Sequence, residues 1–218
     1  MLANDNLHEL IEIRHLTASA YILKMTRKGL KFNAGQHILL GEAGSIELRE
    51  YSIYSSEQDD FFEVLIKEVD NGLVSKQLKQ LHPGDMVQLE GPLGFFTIDT
   101  DRIAHDNFLF VATGTGIAPF HSFAKSYPSL NYQLLHGVRF AHEAYEKNEY
   151  LPQNYLLCTT AESSGDYHGR VTDYLRTHTV HPETHCYLCG NHKMIYEVFE
   201  ILEKQGIPSE RMHAEVYF

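Results

Sequence analysis

Two stretches of this chain end an apolar run in glycine: TGTGIAP at residues 113–119 and CGN at 189–191. Gly114 and Gly116 carry no Cβ, so the backbone there can come close to a diphosphate. A helix following them, with Pro119 in its first turn, offers free N–H groups and a positive dipole end. Such chemistry is anion binding, and a second glycine turn on the same sheet points to a nucleotide. CYLC at 186–189 is the third candidate. Its thiols are spaced as a redox pair or as half a zinc site, although no second pair of ligands stands at zinc spacing; buried free cysteine is the alternative. The last candidate, LREYSIYS at 48–55, loads Arg49, Tyr51, Ser52, Tyr54 and Ser55 onto one strand, more polar and aromatic side chains than a strand needs.

Composition narrows what these residues can serve. The 218 residues are 43% hydrophobic and 22% charged, the balance of a folded globular chain. A net charge of −11 argues against a nucleic-acid surface, which needs clustered Lys and Arg. No apolar run approaches the roughly 20 residues that span a bilayer, so no membrane partner is expected. Asp5, Glu9 and Glu12 stand where a secretory signal needs basic and then apolar residues, which predicts a cytoplasmic protein. Three cysteines are one short of the four thiolates that hold a plant-type iron–sulfur cluster, and no metal site is expected. The densest basic run, Lys24, Arg27, Lys28 and Lys31, surrounds a hairpin tip expected at Gly29. It reads either as a solvated turn or as a docking patch for an acidic partner.

The elements that must hold these residues fall into two grammars. Up to about residue 103, short segments such as SAYILKMTR, QHILLGE and FFEVLIKEV alternate apolar and polar residues, which predicts a small closed antiparallel barrel. One helix interrupts it, where Leu73, Gln77, Leu78 and Leu81 recur at helical spacing before Pro83 and Gly84. From about residue 104, apolar strands NFLFVAT, YQLLHGV, YLLCTTA and HCYLCG alternate with helices, the βαβ rhythm of a doubly wound parallel sheet. Its clearest helix runs from about His192 to Gln205 with Gly206 beyond. In such sheets ligands sit at the carboxyl ends of the strands, where both glycine turns fall.

In order along the chain, REYS, GLVSKQL, GTGIAPF, CGN and the terminal HAEVYF are similar to the motifs of the ferredoxin–NADP(H) reductase family, bacterial type. The resemblance implies a two-domain protein: an antiparallel β-barrel FAD-binding domain, residues 1–103, followed by an α/β doubly wound parallel-sheet NAD(P)-binding domain, residues 104–218. It implies that Tyr51 lies against the flavin, that Arg49 pairs with the FAD diphosphate, and that Gly72, Leu73, Val74 and Ser75 present a helix start to the same diphosphate. Ser52 would sit near flavin N5 and Cys189 beside the nicotinamide, while Glu215 holds the ring or relays a proton. Tyr217 would cover the other flavin face and Phe218 stack on the adenine; the plain alternative is that both close a final strand. Thr113, Gly114, Thr115, Gly116, Ala118, Pro119, Arg139, Thr160, Arg170, Gly190 and Asn191 would line the NAD(P) site, and Tyr145 would flank its adenine.

The activity so implied is hydride transfer between NAD(P)H and FAD, with single electrons exchanged with an acidic carrier, ferredoxin or flavodoxin. A flavin reductase or the reductase component of a multicomponent oxygenase would share every motif, and a flavin-binding regulatory or assembly subunit is the non-enzymatic alternative. Many NADP(H)-using relatives carry Ser-Arg after the third strand of the second domain, where this chain has Thr160 and Ala161. NADP remains the slightly favoured cofactor, with NAD an open alternative.

Overall fold

The computed structural model describes residues 6–217, which divide into two compact units. One runs to Thr97 and takes in the helix Ala118–Ser126; the other holds Ile98–Ile117 and the residues from Tyr127 on.

The first unit is built on β1 (Leu7–His15), β2 (Ala20–Thr26), β3 (His37–Glu42), β4 (Arg49–Ser52), β5 (Phe61–Lys67) and β6 (Met86–Leu93), antiparallel in the order β4-β3-β6-β1-β2-β5. Just beyond β4, Ile53 bridges Val64 and the Tyr54 N–H donates to Glu63 O at 2.7 Å, which closes the sheet into the expected barrel. Alternation does what the sequence pattern asks: Ile38, Leu40, Val87 and Leu89 point inward while Gln88 and Glu90 do not. The interrupting helix α1 (Val74–Lys79) buries Val74 and Leu78 in the barrel core.

Helix α2 (Ala118–Ser126) accounts for the polar load that follows β4. The His121 ring stacks on Tyr54 at 3.6 Å, and its Nδ1–H donates to Tyr54 O at 2.7 Å. Ser122 Oγ donates to Ser55 O at 2.7 Å, and the Glu57 N–H donates to Ser126 Oγ at 3.0 Å. Phe123 of the same helix packs so closely that a Cβ on Gly35 would lie 2.6 Å from its ring.

The turn at Gly29 differs from its expected form. Lys28 and Gly29 do take positive φ, 51° and 74°, but β2 and β3 are not neighbours in the sheet, so the turn opens a crossover rather than a hairpin. Its basic residues are largely committed to the fold. Arg27 donates to the carbonyls of Leu30, Glu57 and Asp59 and faces the rings of Phe32 and Phe62. Lys28 donates to Leu7 O, and Lys24 Nζ lies 3.6 Å above the Phe61 ring.

The second unit is a parallel sheet of β7 (Asn107–Thr113), β8 (Asn131–Val138), β9 (Tyr155–Thr159), β10 (Tyr167–His168), β11 (His185–Asn191) and β12 (Met212–Tyr217) in the order β10-β9-β8-β7-β11-β12. Successive strands step outward from β7 on one side, and the chain then returns to place β11 on the other, so the order reverses between β7 and β11. Helices α3 (Val171–Thr177) and α4 (His192–Lys204) pack Val171, Leu175, Ile195, Val198 and Leu202 onto the sheet. Asn191 caps α4 by accepting from the Lys193 N–H at 3.0 Å, and Gly206, at φ 89°, follows the helix's end.

Cys186 and Cys189, three apart on β11, point to opposite faces, with Cα atoms about 10 Å apart at strand rise, beyond disulfide reach. With Cys158 they are buried free thiols, so the redox-pair and zinc readings of CYLC do not hold.

Two consequences can be measured. His121→Phe keeps the stacked ring but removes the hydrogen bond to the buried Tyr54 carbonyl, and urea unfolding should show about 1 kcal/mol lost. Acid should also destabilise the fold. Burial holds His136, His185 and His213 below the usual imidazole range, His136 down to about 4. The unfolded chain therefore takes up protons near pH 6.5 that the folded chain refuses, and stability falls with pH below that point. His136 alone contributes ~3 kcal/mol of loss by pH 4; a Tm that stays flat from pH 7 to 4.5 would contradict this.

Candidate functional site

The two glycine turns meet at the order reversal between β7 and β11, and each shapes the other. A Cβ on Gly190, which sits at φ 129°, would fall 2.3 Å from Thr113 Oγ1, and one on Gly116 would fall 2.4 Å from Cys189 O. The Asn191 N–H donates to Thr113 Oγ1 at 3.0 Å. Gly116 and Gly190 are thus required by the packing of turn on turn. Gly114 is different: its φ of 55° favours glycine, yet a Cβ there would meet nothing within 4 Å. Open space lies beside this turn, in the crevice position where α/β sheets bind ligands. Behind it, His136 Nε2 lies 2.9 Å from Gly114 O, and Nδ1 lies 2.6 Å from Tyr155 Oη.

Other expected residues lie along the same carboxyl edge of the sheet. Arg139, just past β8, is exposed, with its guanidinium 5.5 Å from the Phe140 ring centroid. Thr160 and Ala161 follow β9, and the Ala161 N–H donates to Arg139 O at 2.9 Å, joining the two loops. Glu162 accepts from the Ala141 N–H, and that bond, with one from Ser164, holds its carboxyl below the usual range. Arg170 precedes α3, its N–H donating to Asp173 Oδ2 at 3.0 Å. Tyr145 is only 2% exposed, so its ring is not offered to an adenine as expected.

Register pairs Cys189 with Glu215 and Asn191 with Tyr217 across β11 and β12. Cys189 is fully buried, and burial, with the Glu215 charge added, pushes its thiol well above the ordinary range despite a hydrogen bond with Tyr217. It remains a neutral thiol at physiological pH. Phe218 lies outside the described residues.

In the barrel unit, β4 carries Arg49, Tyr51 and Ser52, and α1 begins at Val74 after Gly72 and Leu73. Tyr51 packs on the core cluster that includes Val74 and Tyr21, and the Tyr21 hydroxyl donates to Ser75 O. The two segments therefore share one region. Burial pushes the Tyr51 phenol up to about 12, so the ring is uncharged. Ser52 is buried, whereas Arg49 is exposed and, among the described residues, bonds along its own segment, to Leu48 O at 2.8 Å and Glu47 at 3.5 Å. The first turn of α1 has no side-chain cap. A displaceable guanidinium and uncapped N–H groups are donors suited to a diphosphate, so these residues fit FAD. Sequence reasoning had passed over His121, His136 and Tyr155. The one signal for them was a histidine inside an otherwise apolar segment.

Known proteins align with this architecture. Residues 7–98 match the model of the oxidoreductase FAD-binding domain, and residues 110–199 that of the oxidoreductase NAD-binding domain. A ferredoxin–NADP reductase of Azotobacter vinelandii is 27% identical over 94% of this chain and 92% of its own length. The electron transfer component of toluate 1,2-dioxygenase from Pseudomonas putida is 29% identical over 94% of this chain but 65% of its own. A ferredoxin NADP+ reductase from Neisseria gonorrhoeae, solved with bound FAD and NADP, superposes with a TM-score of 0.86 at 22% identity, covering 97% of this chain and 98% of that one. Among the described residues, no helix is long and apolar enough to cross a membrane. With both domain models matched in order along one chain, the protein belongs to the ferredoxin–NADP(H) reductase family of FAD- and NAD(P)-binding oxidoreductases.

Proposed function

We propose that this oxidoreductase passes electrons between a nicotinamide dinucleotide and a separate one-electron protein carrier of the ferredoxin or flavodoxin kind. The supporting observation is the pair of interlocked turns at the sheet's order reversal, with open space beside Gly114. FAD, when bound, supplies the chemistry that exchanges electrons in pairs with the nicotinamide and singly with the carrier. The chain's own residues bind and orient. Arg49 pairs with the FAD diphosphate as a planar fork, and the N–H groups of Leu73, Val74 and Ser75 join it, after the turn that Gly72 closes by donating its own N–H to Val69 O at 2.9 Å. Tyr51 offers an uncharged ring as a flat wall, and the buried Ser52 hydroxyl beside it holds a proton. Thr113–Gly116, Ala118, Pro119 and Cys189–Asn191 receive the dinucleotide, whose adenosine end runs toward Arg139, Thr160 and Arg170. Cys189, buried as a neutral thiol, supports this turn from within the sheet without adding a charge, and Glu215 supplies a carboxylate on the neighbouring strand.

The carrier is taken to be a separate protein because the chain's three cysteines are all buried and fall one short of the four thiolates an iron–sulfur cluster needs. Unpaired thiols also suit a reducing, cytoplasmic setting. The similarity to a dioxygenase electron transfer component favours a second reading, a reductase serving an oxygenase.

Anaerobic mixing of the FAD-loaded protein with NADPH and NADH in parallel should bleach the flavin absorbance. Ferredoxin-dependent reduction of cytochrome c should then follow. A yellow protein that neither nicotinamide bleaches would refute the redox role, and free flavin turned over as efficiently as ferredoxin would refute the carrier. Ala161→Arg places a guanidinium on an exposed loop position whose backbone bond to Arg139 survives the change. The NADPH to NADH ratio of kcat/KM should rise about tenfold; an unchanged ratio means the 2′-phosphate binds elsewhere.

A further inference from the structure

We infer that His136, backed by Tyr155, is a positioning residue for the dinucleotide: it holds the Gly114 carbonyl inward and thereby turns the Thr115 N–H outward, toward the crevice. The inference rests on the proposed reading that this turn receives a nicotinamide dinucleotide.

His136 is a fully buried polar residue in β8, a strand whose other buried positions are Tyr132, Leu134, Leu135 and Val138. An imidazole survives there only if its nitrogens are bonded, and both are: Nε2 to Gly114 O at 2.9 Å and Nδ1 to Tyr155 Oη at 2.6 Å. A carbonyl can only accept, so Nε2 carries the proton. Nδ1 then accepts, and the Tyr155 hydroxyl donates to it. Each donor–acceptor role follows from the one before. Burial keeps the ring neutral, which is the state this chain of bonds requires. Tyr155 is itself held in place by the Tyr150 ring at 5.3 Å and the Lys147 ammonium 5.4 Å from its centroid.

The Gly114–Thr115 peptide is trans; the cis bond among the described residues is Gly91–Pro92. In a trans peptide the C=O and the following N–H point in opposite directions. Fixing the Gly114 carbonyl on a buried histidine therefore aims the Thr115 N–H away from that histidine, at a turn with open space beside it. Glycine at φ 55° has no side chain to resist rotation of that peptide, so the histidine bond reinforces what the short 3-10 turn Gly114–Ile117 alone must otherwise hold. A fixed N–H aimed at an anion needs no reorganisation when a diphosphate arrives.

The test is calorimetric titration of the FAD-loaded protein with NADP+ and NAD+ for the wild type, His136→Met, His136→Gln and Tyr155→Phe, alongside flavin absorbance and steady-state kinetics. His136→Met should weaken whichever dinucleotide the wild type binds about tenfold, raising KM more than it lowers kcat and leaving the flavin spectrum intact. Gln can return an N–H near the position of Nε2 and should restore most of the affinity. Tyr155→Phe removes only a hydroxyl, so it folds if any variant does, and should weaken binding about threefold. Equal affinity in His136→Met and wild type overturns the inference, as does a Gln variant no better than Met or a Tyr155→Phe variant equal to wild type. A wild type that binds neither dinucleotide removes the proposed function and this inference together.

Discussion

The second unit depends on the contact between its two glycine turns. β7 and β11 are adjacent parallel strands whose connections leave in opposite directions, so their exits crowd the same volume. Crowding is relieved only where a Cβ is missing: Gly116 against the Cys189 carbonyl, and Gly190 against Thr113. Asn191 then ties several parts together. Its N–H bonds Thr113, its side chain caps α4, and its backbone pairs with Tyr217 of β12. A side chain added at either glycine would move the strand ends, the helix start and the opening beside Gly114 as one body.

A comparable constraint orders the barrel unit at the end of β4. The strand that carries Arg49, Tyr51 and Ser52 is only four residues long. What fixes its direction lies just downstream, where Ile53 closes the barrel on Val64 and α2 covers Tyr54 and Ser55. Buried carbonyls and hydroxyls are costly unless partnered, and His121, Ser122 and Ser126 are the partners that let this polar segment go inside. The proposed flavin residues are thus held at the end of a strand whose continuation cannot shift without exposing or orphaning those groups.

The periodicities in the sequence were enough to read the barrel, the parallel sheet and α4, because alternation and helical spacing report which face of an element is buried. They do not report what buries it. The helix after TGTGIAP fell by sequence within the nucleotide domain, and only the fold shows its His121 lying flat on Tyr54. Gly116 looked like a phosphate-approach glycine, and its neighbour proves to be a protein carbonyl. Arg27 looked like part of a surface charge run, yet it serves as a hub for three carbonyls. In each case the partner is distant in sequence, and local patterns carry no information on long-range pairing. The CYLC outcome, by contrast, was readable in principle: strand alternation alone sends residues three apart to opposite faces.

Electrostatics explains why so much of the candidate site is backbone. The chain carries a net charge of −11, so its long-range field repels a dinucleotide rather than gathering it. The cations along the carboxyl edge are each near an acid: Glu143 accepts from the Arg139 N–H, and Asp173 from the Arg170 N–H. Those acids weaken the pull of the two exposed guanidiniums on an anion at a distance. Recognition must then come at contact range, from N–H groups and helix starts whose direction matters more than their number. Under that condition a single peptide facing the wrong way costs a large share of what the site has to offer, and a buried neutral imidazole is a suitable means of preventing it, since it fixes the peptide without adding a charge that solvent or neighbouring acids could quench.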